Sequence, residues 1–219
     1  MPNWCSNSIT IHNPRVFKEK CIKPVIQRDD NDDIVVKDDF SFENIIPQPE
    51  HMNAYNNITM DYDVKKLLEE EQIDLEKFKE ADKIPNELFT RNAMDYLHAK
   101  PWMDAEAERT GVPADAWYEW DCANWGTKWD VSDNSIDMDD LNAACNSNED
   151  YSFVFDTAWA PPIPVLEKMA ELGVEFDWDC EEPGMEIFMA GEAVGGLFSY
   201  GNTEPPKYDE DGNRIEDDE

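Results

Sequence analysis

Residues 151–180 read YSFVFDTAWAPPIPVLEKMAELGVEFDWDC, and this stretch decides the fold because two strand patterns flank one helix pattern. Successive side chains of a strand point to opposite faces, so a strand with one buried face shows apolar residues at every second position. The first strand has its core-facing positions at Tyr151, Phe153, Phe155, Thr157 and Trp159. The second has them at Val174, Phe176, Trp178 and Cys180, with Glu175, Asp177 and Asp179 on the other side.

A helix is predicted between these two strands. The APPIP run at residues 160–164 ends the first strand and opens the helix, since proline is accepted in a first helical turn and not inside a strand. Val165, Met169 and Leu172 share one side of this helix, and Gly173 follows where glycine commonly ends helices. The stretch therefore predicts a strand, a helix and a second strand.

Three further segments with strand patterns lie on either side. Residues 4–12 alternate, with Cys5, Asn7, Ile9 and Ile11 on one face. Residues 125–131, WGTKWDV, predict a strand with Trp125, Thr127, Trp129 and Val131 toward a core and Gly126, Lys128 and Asp130 on the other side. Residues 181–201 predict a turn and a last hairpin. Together these segments supply the remaining strands of one sheet.

A helical block interrupts the strands at residues 61–111. Phe89, Ala93, Tyr96 and Leu97 recur there at helical spacing. Strand, helical block, strand, strand, helix, strand is the β-α-β-β-α-β order of the ferredoxin-like fold, in which both helices cover one face of an antiparallel sheet. We predict an α+β protein with a single ferredoxin-like domain at residues 1–202, a helical insertion at about 61–111, and an acidic disordered tail at 203–219.

The connecting segments have weaker patterns. Residues 34–36, IVV, are predicted to pair in a peripheral hairpin, and residues 40–52, FSFENIIPQPEHM, to form a buried ordered loop. Pro113 is expected to restart a helix that leads into the strand at residues 125–131. Residues 132–150 are expected to be a polar link.

The charge of the chain restricts its partners. It contains 51 acidic and 18 basic residues, which gives a formal net charge of −33. Binding to nucleic acid or anionic lipid requires Lys and Arg to neutralise negative charge, so the composition argues against both as direct partners. A host or phage protein with a basic surface is the complementary partner. The alternative, that the acidity serves solubility alone, stays open at this point.

Four acidic residues form the candidate partner-binding site: Glu175, Asp177, Asp179 and Asp156. The first three alternate with core positions of the last long strand, and Asp156 lies on the outward side of the strand at residues 151–159. RNA-recognition domains with this architecture need aromatic and positively charged side chains on the open sheet face. Here the aromatic residues are predicted to point inward and the acids outward, which favours a basic protein partner.

A second candidate site is a pocket formed by Trp125, Lys128, Trp129 and Trp159. Its motivation is one lysine set among tryptophans in a very acidic chain, and Lys128 would clamp an anionic group of a ligand. The simpler interpretation is two core tryptophans beside a solvent-exposed lysine, because Trp is highly buried on average.

No catalytic or metal-binding motif is recognisable. The three histidines are far apart, and the sequence contains neither H-E-x-x-H, nor G-x-S-x-G, nor a phosphate-binding glycine loop. The five cysteines are widely spread without a C-x-x-C pair, and the acidic stretches lack the glycine and glutamate spacing of a calcium loop. We assign no catalytic residue, no metal and no cofactor. Without an apolar signal core or membrane-spanning run, the host-cell cytoplasm is the expected location.

Several blocks together resemble a known family: MPNWCSN, FSFENIIPQP, NWGTKWD, FDTAWAPPIPVLEKMA and the EEPG…AG run. They are similar to the YubB-type ferredoxin-like family, an Api-like group carried chiefly by bacteriophages and plasmids. The resemblance extends in scattered blocks from Met1 to about Gly201. It implies a ferredoxin-like domain and a mobile-element origin, and it transfers no catalytic residue. The acidic helical insertion and tail depart from the family pattern.

Three functional hypotheses follow. The first is a non-enzymatic phage or plasmid accessory protein that binds another protein, in its most specific form an acidic mimic of nucleic acid that inhibits a host defence or DNA-binding protein. The second is a small-ligand-binding protein or enzyme with the aromatic pocket around Lys128. The third is a structural component of a phage particle.

Overall fold

The computed structural model describes residues 3–28, 34–57, 87–205, 207–208 and 214–215. The chain divides into two compact units. The larger unit consists of Met1–Pro47 with Asp121–Glu219, and the smaller unit of Gln48–Trp120. Whether residues 1–202 form a single domain stays a prediction.

The strands are β1 (Trp4–Ile11), β2 (Ile22–Arg28), β3 (Ile34–Phe40), β4 (Asp133–Asn134), β5 (Tyr151–Ala158), β6 (Phe176–Glu182), β7 (Ile187–Val194), β8 (Leu197–Asn202), β9 (Lys207–Tyr208) and β10 (Arg214–Ile215). The helices are α1 (Pro14–Cys21), α2 (Glu50–Asn57), α3 (Glu87–Thr110), α4 (Trp117–Asn124), α5 (Met138–Ser147) and α6 (Ile163–Glu171). Short 3₁₀ turns occur at Phe42–Asn44 and Pro183–Met185.

Six strands form one antiparallel sheet in the order β4-β5-β1-β6-β7-β8. β1 lies between β5 and β6, so that Ile9 pairs with Phe153 on one side and with Trp178 on the other. β5 and β6 therefore run parallel to each other, and α6 connects them across the intervening strand. This split β-α-β unit, preceded by β1, α1 and β4, gives the order β-α-β-β-α-β, so the predicted α+β ferredoxin-like fold is confirmed.

The core lies between one face of this sheet and the helices α1, α5 and α6, which contact one another or the sheet. The buried sheet residues include Cys5, Ile9, Ile11, Phe153, Phe155, Phe176 and Trp178. The helices bury Phe17, Leu141, Val165, Leu166 and Met169 against them. Aromatic rings from helix and sheet pack against each other, and the ring centroids of Phe17 and Phe153 lie 5.4 Å apart. Each such side chain contributes about 1.5–3 kcal/mol when fully buried.

The polar side chains of Asn7 and its partner Thr157 are completely buried within this core. Asn7 makes hydrogen bonds to both neighbouring strands. Its amide nitrogen donates to the Thr157 hydroxyl at 3.0 Å and to the carbonyl oxygen of Cys5 at 3.0 Å. Its amide oxygen accepts a hydrogen bond from the Trp178 indole at 3.2 Å. Asn7 thereby links β1 to β5 and β6 through its side chain, in addition to the backbone hydrogen bonds of the sheet. Because its polar atoms all have partners, the cost of burying them is offset.

The predicted strand at residues 125–131 was wrong, because this segment forms a series of bends after α4. Gly126 has a φ of +82°, which lies outside the β region that a regular strand occupies. Asp130 turns its carboxylate inward, where it accepts hydrogen bonds from the Ser41 hydroxyl at 2.5 Å and from the Phe42 amide at 2.6 Å. The second strand of the fold is instead β4, which is two residues long.

The first helix of the fold is α1, not the predicted helical block. Residues 132–150 were also wrongly expected to be only a link, because they contain α5. Asp137 caps that helix and accepts hydrogen bonds from the amides of Asp139 at 2.8 Å and Asp140 at 3.0 Å. The helix buries only Leu141 and Ala144, which left too weak a periodic pattern for prediction.

The other segments follow expectation more closely. β2 and β3 pair with each other in a separate two-stranded sheet. In the loop that follows β3, the side chains of Phe42 and Ile45 are buried. β7 and β8 form the predicted last hairpin.

Trp159 does not follow expectation, since it has a φ of +74° and is 41% exposed instead of facing the core. In the tail, β9 and β10 pair with each other, and residues 206, 209–213 and 216–219 lie outside the described residues.

The smaller unit contains α2 and α3. Tyr55 and Tyr96 meet edge to face with ring centroids 6.0 Å apart. His51 is buried, and its Nε2 lies 2.8 Å from the Val112 carbonyl oxygen. The helix predicted over Phe89, Ala93, Tyr96 and Leu97 is confirmed as part of α3, whereas residues 61–86 of the predicted insertion lie outside the described residues.

Candidate functional site

The sheet face opposite the helices carries mainly hydroxyl and carboxylate side chains, and we call it the open face. It includes Asp133 of β4, Ser152, Val154 and Asp156 of β5, Trp4, Ser6, Ser8 and Thr10 of β1, Asp177, Asp179 and Glu181 of β6, Phe188, Ala190, Glu192 and Val194 of β7, and Leu197, Ser199 and Gly201 of β8. None of these positions is Lys or Arg. The face therefore presents carboxylates over a floor of small hydroxyl residues.

Three acids of the open face form a row along β6, and Asp156 and Glu192 lie on either side of this row. Asp177, Asp179 and Glu181 follow one another along β6, about 6.6 Å apart at two-residue intervals. Asp156 lies across β1 from Glu181, because Ser6 pairs with both. Burial raises the pKa of Asp156, and the nearby negative charge of Asp133 raises it further, against a smaller opposing effect of its hydrogen bond with Ser6. Crowded carboxylates of this kind gain from a positively charged partner.

That these acids bind a partner stays a prediction, but the structure gives their positions. The structure brings Asp156, Asp177 and Asp179 onto one face as expected, and it adds Glu181 and Glu192, which were not singled out. Continuing the alternation of β6 by one more step would have found Glu181. Glu175 precedes β6 at the end of this face, where its backbone carbonyl accepts a hydrogen bond from the His12 amide at 2.9 Å.

His12 joins this end of the face. Its Nδ1 lies 3.1 Å from Asp150 and its Nε2 lies 3.2 Å from Asp177, so one ring bridges two carboxylates. Partial burial alone would lower the pKa of His12, but the hydrogen bonds and charges of Asp150 and Asp177 together raise it. The sequence gives no sign of this contact, because Asp150 and Asp177 are far from His12 along the chain.

A shallow trough crosses the open face near β7 and β8, with a volume of about 700 Å³. Ser8, Thr10, Ala190 and Ser199 line it with small side chains. Asp177, Asp179 and Glu192 also line it and supply negative charge. A long cationic side chain fits the combination of small floor residues and carboxylates.

The second predicted site, around Lys128, has a different geometry from that expected. Trp125 is buried, and its indole donates to the Ile46 carbonyl oxygen at 2.8 Å. Lys128 Nζ lies 4.5 Å from the centre of the Trp129 ring, a cation–π contact. Trp129 is 38% exposed and faces Trp4 with ring centroids 6.3 Å apart. The four predicted residues thus include one structural tryptophan and one exposed tryptophan with its lysine.

Trp159 is the fourth member of that prediction. Its amide donates to the Asn3 carbonyl oxygen at 3.0 Å, and its side chain is exposed. Neither the trough nor a second cleft of about 370 Å³, near Lys37, Asp39 and Asn134, is lined by any of the four residues.

Gly126 explains why the NWG and APPIP motifs occur together. A Cβ atom on Gly126 would lie 2.7 Å from Pro164 Cδ and 3.2 Å from the Pro161 carbonyl oxygen. The next residue, Thr127, is buried and donates to the Ala158 carbonyl oxygen at 2.7 Å. The bends at residues 125–130 therefore fix the turn between β5 and α6, which is a structural role.

Metal ligation and thiol chemistry depend on how the His, Cys, Asp and Glu side chains of the described residues are placed. Within the described residues, no cluster of His, Cys, Asp and Glu side chains is placed to hold a metal ion. All five cysteines are free, and burial raises the pKa of Cys21 to about 12. Cys5 and Cys180 lie buried in the core. Among the helices that the structure describes, none has the length and apolar character needed to cross a membrane.

The split β-α-β unit and the helices on one side of the sheet define an α+β protein with a ferredoxin-like domain. Residues 127–218 match the family model of the ferredoxin-like domain in Api92-like protein. The chain is also similar to the crystal structure of Api92 from Yersinia pseudotuberculosis, with 11% identity, a TM-score of 0.38, and coverage of 95% of this chain and 100% of that chain. No curated protein matches. The Api-like part of the resemblance is thus found for residues 127–218.

Proposed function

We propose that this protein acts by binding another protein, and that the acids of the open face receive a basic surface of that partner. The observation that carries the proposal is the composition of the face, which combines Asp156, Asp177, Asp179, Glu181 and Glu192 with no Lys or Arg. In line with the YubB-type resemblance, we propose that it is an accessory protein of a phage or plasmid, acting in the host-cell cytoplasm.

Electrostatics supports a basic partner. A formal charge of −33 over the whole chain attracts positively charged proteins at long range, and the carboxylate cluster supplies the local complement. The partner's Lys and Arg would replace the repulsion among these carboxylates with attraction. The expected signature is binding that weakens as salt is added.

The more specific form of the proposal is mimicry of nucleic acid. Asp177, Asp179 and Glu181 form a regular row of negative charges at about 6.6 Å intervals along β6. A groove that binds a phosphate backbone through Lys and Arg can accept such a row. The partner would then be a host defence or DNA-binding protein.

The test compares three forms of the full-length protein as bait in host-cell lysate at low and high salt, with mass spectrometry of the captured proteins. The face variant carries Asp156→Asn, Asp177→Asn, Asp179→Asn and Glu181→Gln. The control variant loses the same charge at exposed positions elsewhere, through Glu108→Gln, Asp115→Asn, Glu167→Gln and Glu204→Gln.

We expect the wild type and the control variant to capture the same basic protein, which elutes with salt and is lost from the face variant. If the face variant captures the same proteins as the wild type, the open face is not the binding surface. The alternatives, a ligand pocket around Lys128 and a role in a phage particle, stay predictions.

A further inference from the structure

The two edges of the six-stranded sheet differ in how they are protected. β4 forms one edge with only two residues, one of them Asp133. β8 forms the other edge with six residues, LFSYGN, and contains no charged residue and no proline. Natural proteins usually shorten, charge or cover an edge strand to prevent further pairing. β8 has none of these protections among its own residues.

The register of the hairpin shows which backbone groups of β8 face outward. Val194 and Leu197 flank a two-residue turn at Gly195 and Gly196, whose φ values of +61° and +84° are those of a type I′ turn. Hydrogen-bonded and non-hydrogen-bonded pairs alternate from that closing pair along an antiparallel ladder. The pairs that contain Leu197, Ser199 and Gly201 are therefore bonded to β7. The bond from the Thr203 amide to the Phe188 carbonyl oxygen, 2.9 Å long, continues the same series.

The backbone N–H and C=O groups of Phe198, Tyr200 and Asn202 consequently point away from the sheet. The exposure of the strand agrees with this, since Leu197 is 74% exposed and Tyr200 is 45% exposed. Phe198 and Tyr200 stack with ring centroids 5.1 Å apart on the helix side of the sheet. The edge thus offers three donors and three acceptors beside an aromatic pair.

We infer that the partner docks by adding an extended strand to the outer edge of β8, and that this strand alternates basic with apolar residues. The inference rests on the proposed function, because it specifies how the basic partner engages the same open face. Each second side chain of the added strand lies on the open-face side, next to Leu197, Ser199 and Gly201. The intervening side chains lie on the helix side, next to Phe198 and Tyr200.

The trough explains why the open-face side chains of the partner are basic. From the added strand, Glu192 is two strand spacings away, or about 10 Å, across the small residue Ser199. A lysine or arginine side chain that lies over Ser199 extends toward Glu192, which lines the trough together with Asp177. Main-chain hydrogen bonds then supply affinity, and the alternate side chains supply specificity.

The test uses the full-length protein and three synthetic peptides in fluorescence-anisotropy titrations. The first peptide alternates Lys and Val over eight residues, the second has the same composition with all Lys before all Val, and the third is the alternating peptide with N-methylated valine amides. Tyr200→Pro removes an outward N–H without changing the charge, and Tyr200→Thr removes the same ring but keeps that N–H. Proline is tolerated at such outward positions of edge strands.

We expect the alternating peptide to bind Tyr200→Pro about tenfold more weakly than Tyr200→Thr, which lacks the same ring, because the proline variant loses a main-chain bond and adds a steric block. The block and N-methylated peptides should bind weakly to all three proteins. If Tyr200→Pro does not fold by circular dichroism, Asn202→Pro and Asn202→Ala form the equivalent pair.

Failure of this inference is distinguishable from failure of the proposed function. Equal binding of the alternating and block peptides, unaffected by Tyr200→Pro but lost in the face variant, overturns strand addition and retains the acidic surface. Binding that is insensitive to the face variant even when Glu192→Gln is added to it overturns the proposed function. A dimer of the full chain in sedimentation analysis that Tyr200→Pro abolishes assigns the edge to a second copy and overturns the basic partner.

Discussion

His12 connects two strand ends through its ring, since Asp150 precedes β5 and Asp177 belongs to β6. The charged groups near the ring are Asp150 and Asp177. Glu175 is also close, because its backbone carbonyl oxygen accepts a hydrogen bond from the His12 amide. The pKa of His12 is higher in the folded state than in the unfolded state. The full stabilisation from the charged ring is therefore present at pH values below the unfolded-state pKa of about 6.5. That stabilisation is lost as the pH rises through the folded-state pKa.

We therefore expect His12→Gln to cost more stability at about pH 5.5 than at about pH 8.5, measured by urea unfolding. Nuclear magnetic resonance titration of the ring should show a pKa above that of an unfolded peptide, and Asp150→Asn should lower it. His98→Gln, at an exposed position, serves as the control. An equal cost of His12→Gln at both pH values would contradict the ion-pair geometry.

Gly126 is the residue at which backbone conformation and packing both exclude a side chain. Gly126→Ala should reduce the free energy of unfolding by about 2–4 kcal/mol, since it combines a positive φ with a clash against Pro164. Gly173→Ala is the matched control, because Gly173 has a φ of +87° with no atom within 4 Å of the added Cβ. We expect the control to cost only about 1 kcal/mol in the same urea titration. Equal costs would mean that the contact with the proline turn is not tight.

At the scale of elements, α5 depends on its cap. Asp137→Ala should destabilise the protein by about 1 kcal/mol, because two amides of the first turn lose their acceptor. Asp137→Asn also removes the charge but keeps a capping oxygen, so it should cost only a few tenths of a kcal/mol. Thermal unfolding monitored by circular dichroism measures both. Similar losses for the two variants would indicate that charge, not capping, is the contribution of Asp137.

The elements show where sequence reasoning succeeds. β5, α6 and β6 were predictable because Phe153, Phe155, Phe176 and Trp178 repeat the period of a strand and Gly173 ends the helix between them. The segment at residues 125–131 was not, because its alternating tryptophans imitate a strand. Its real conformation depends on Asp130 bonding to residues near Ser41, far away along the chain.

The candidate site follows the same rule. Asp177 and Asp179 were predictable as the outward side of a strand, whereas their proximity to Asp156 depends on β1 lying between β5 and β6. The contact of His12 with Asp150 and Asp177 has the same origin. In β6, the local pattern therefore predicted which side chains point outward, and long-range pairing decided which of them meet the acids of other strands.

At the scale of the whole molecule, self-repulsion among negative charges should limit stability. With a formal net charge of −33, the folded state is expected to become more stable as monovalent salt screens the repulsion. We expect the urea midpoint at neutral pH to rise between about 20 mM and 300 mM sodium chloride, and choline chloride to give the same rise. A midpoint that is independent of salt would mean that specific pairs already compensate the charge. The face variant should show a smaller rise than the wild type.

The position of β1 between β5 and β6 also has a consequence for synthesis on the ribosome. Residues 4–11 leave the exit tunnel long before residues 151–158 and 176–182, with which they pair. At about 5–20 residues per second, the first strand waits roughly 10–35 seconds for its second neighbour. Until residues 151–158 also emerge, its apolar side, with Ile9 and Ile11, has no strand to pair with. The nascent chain thus has a period in which chaperone binding to this segment would be most useful.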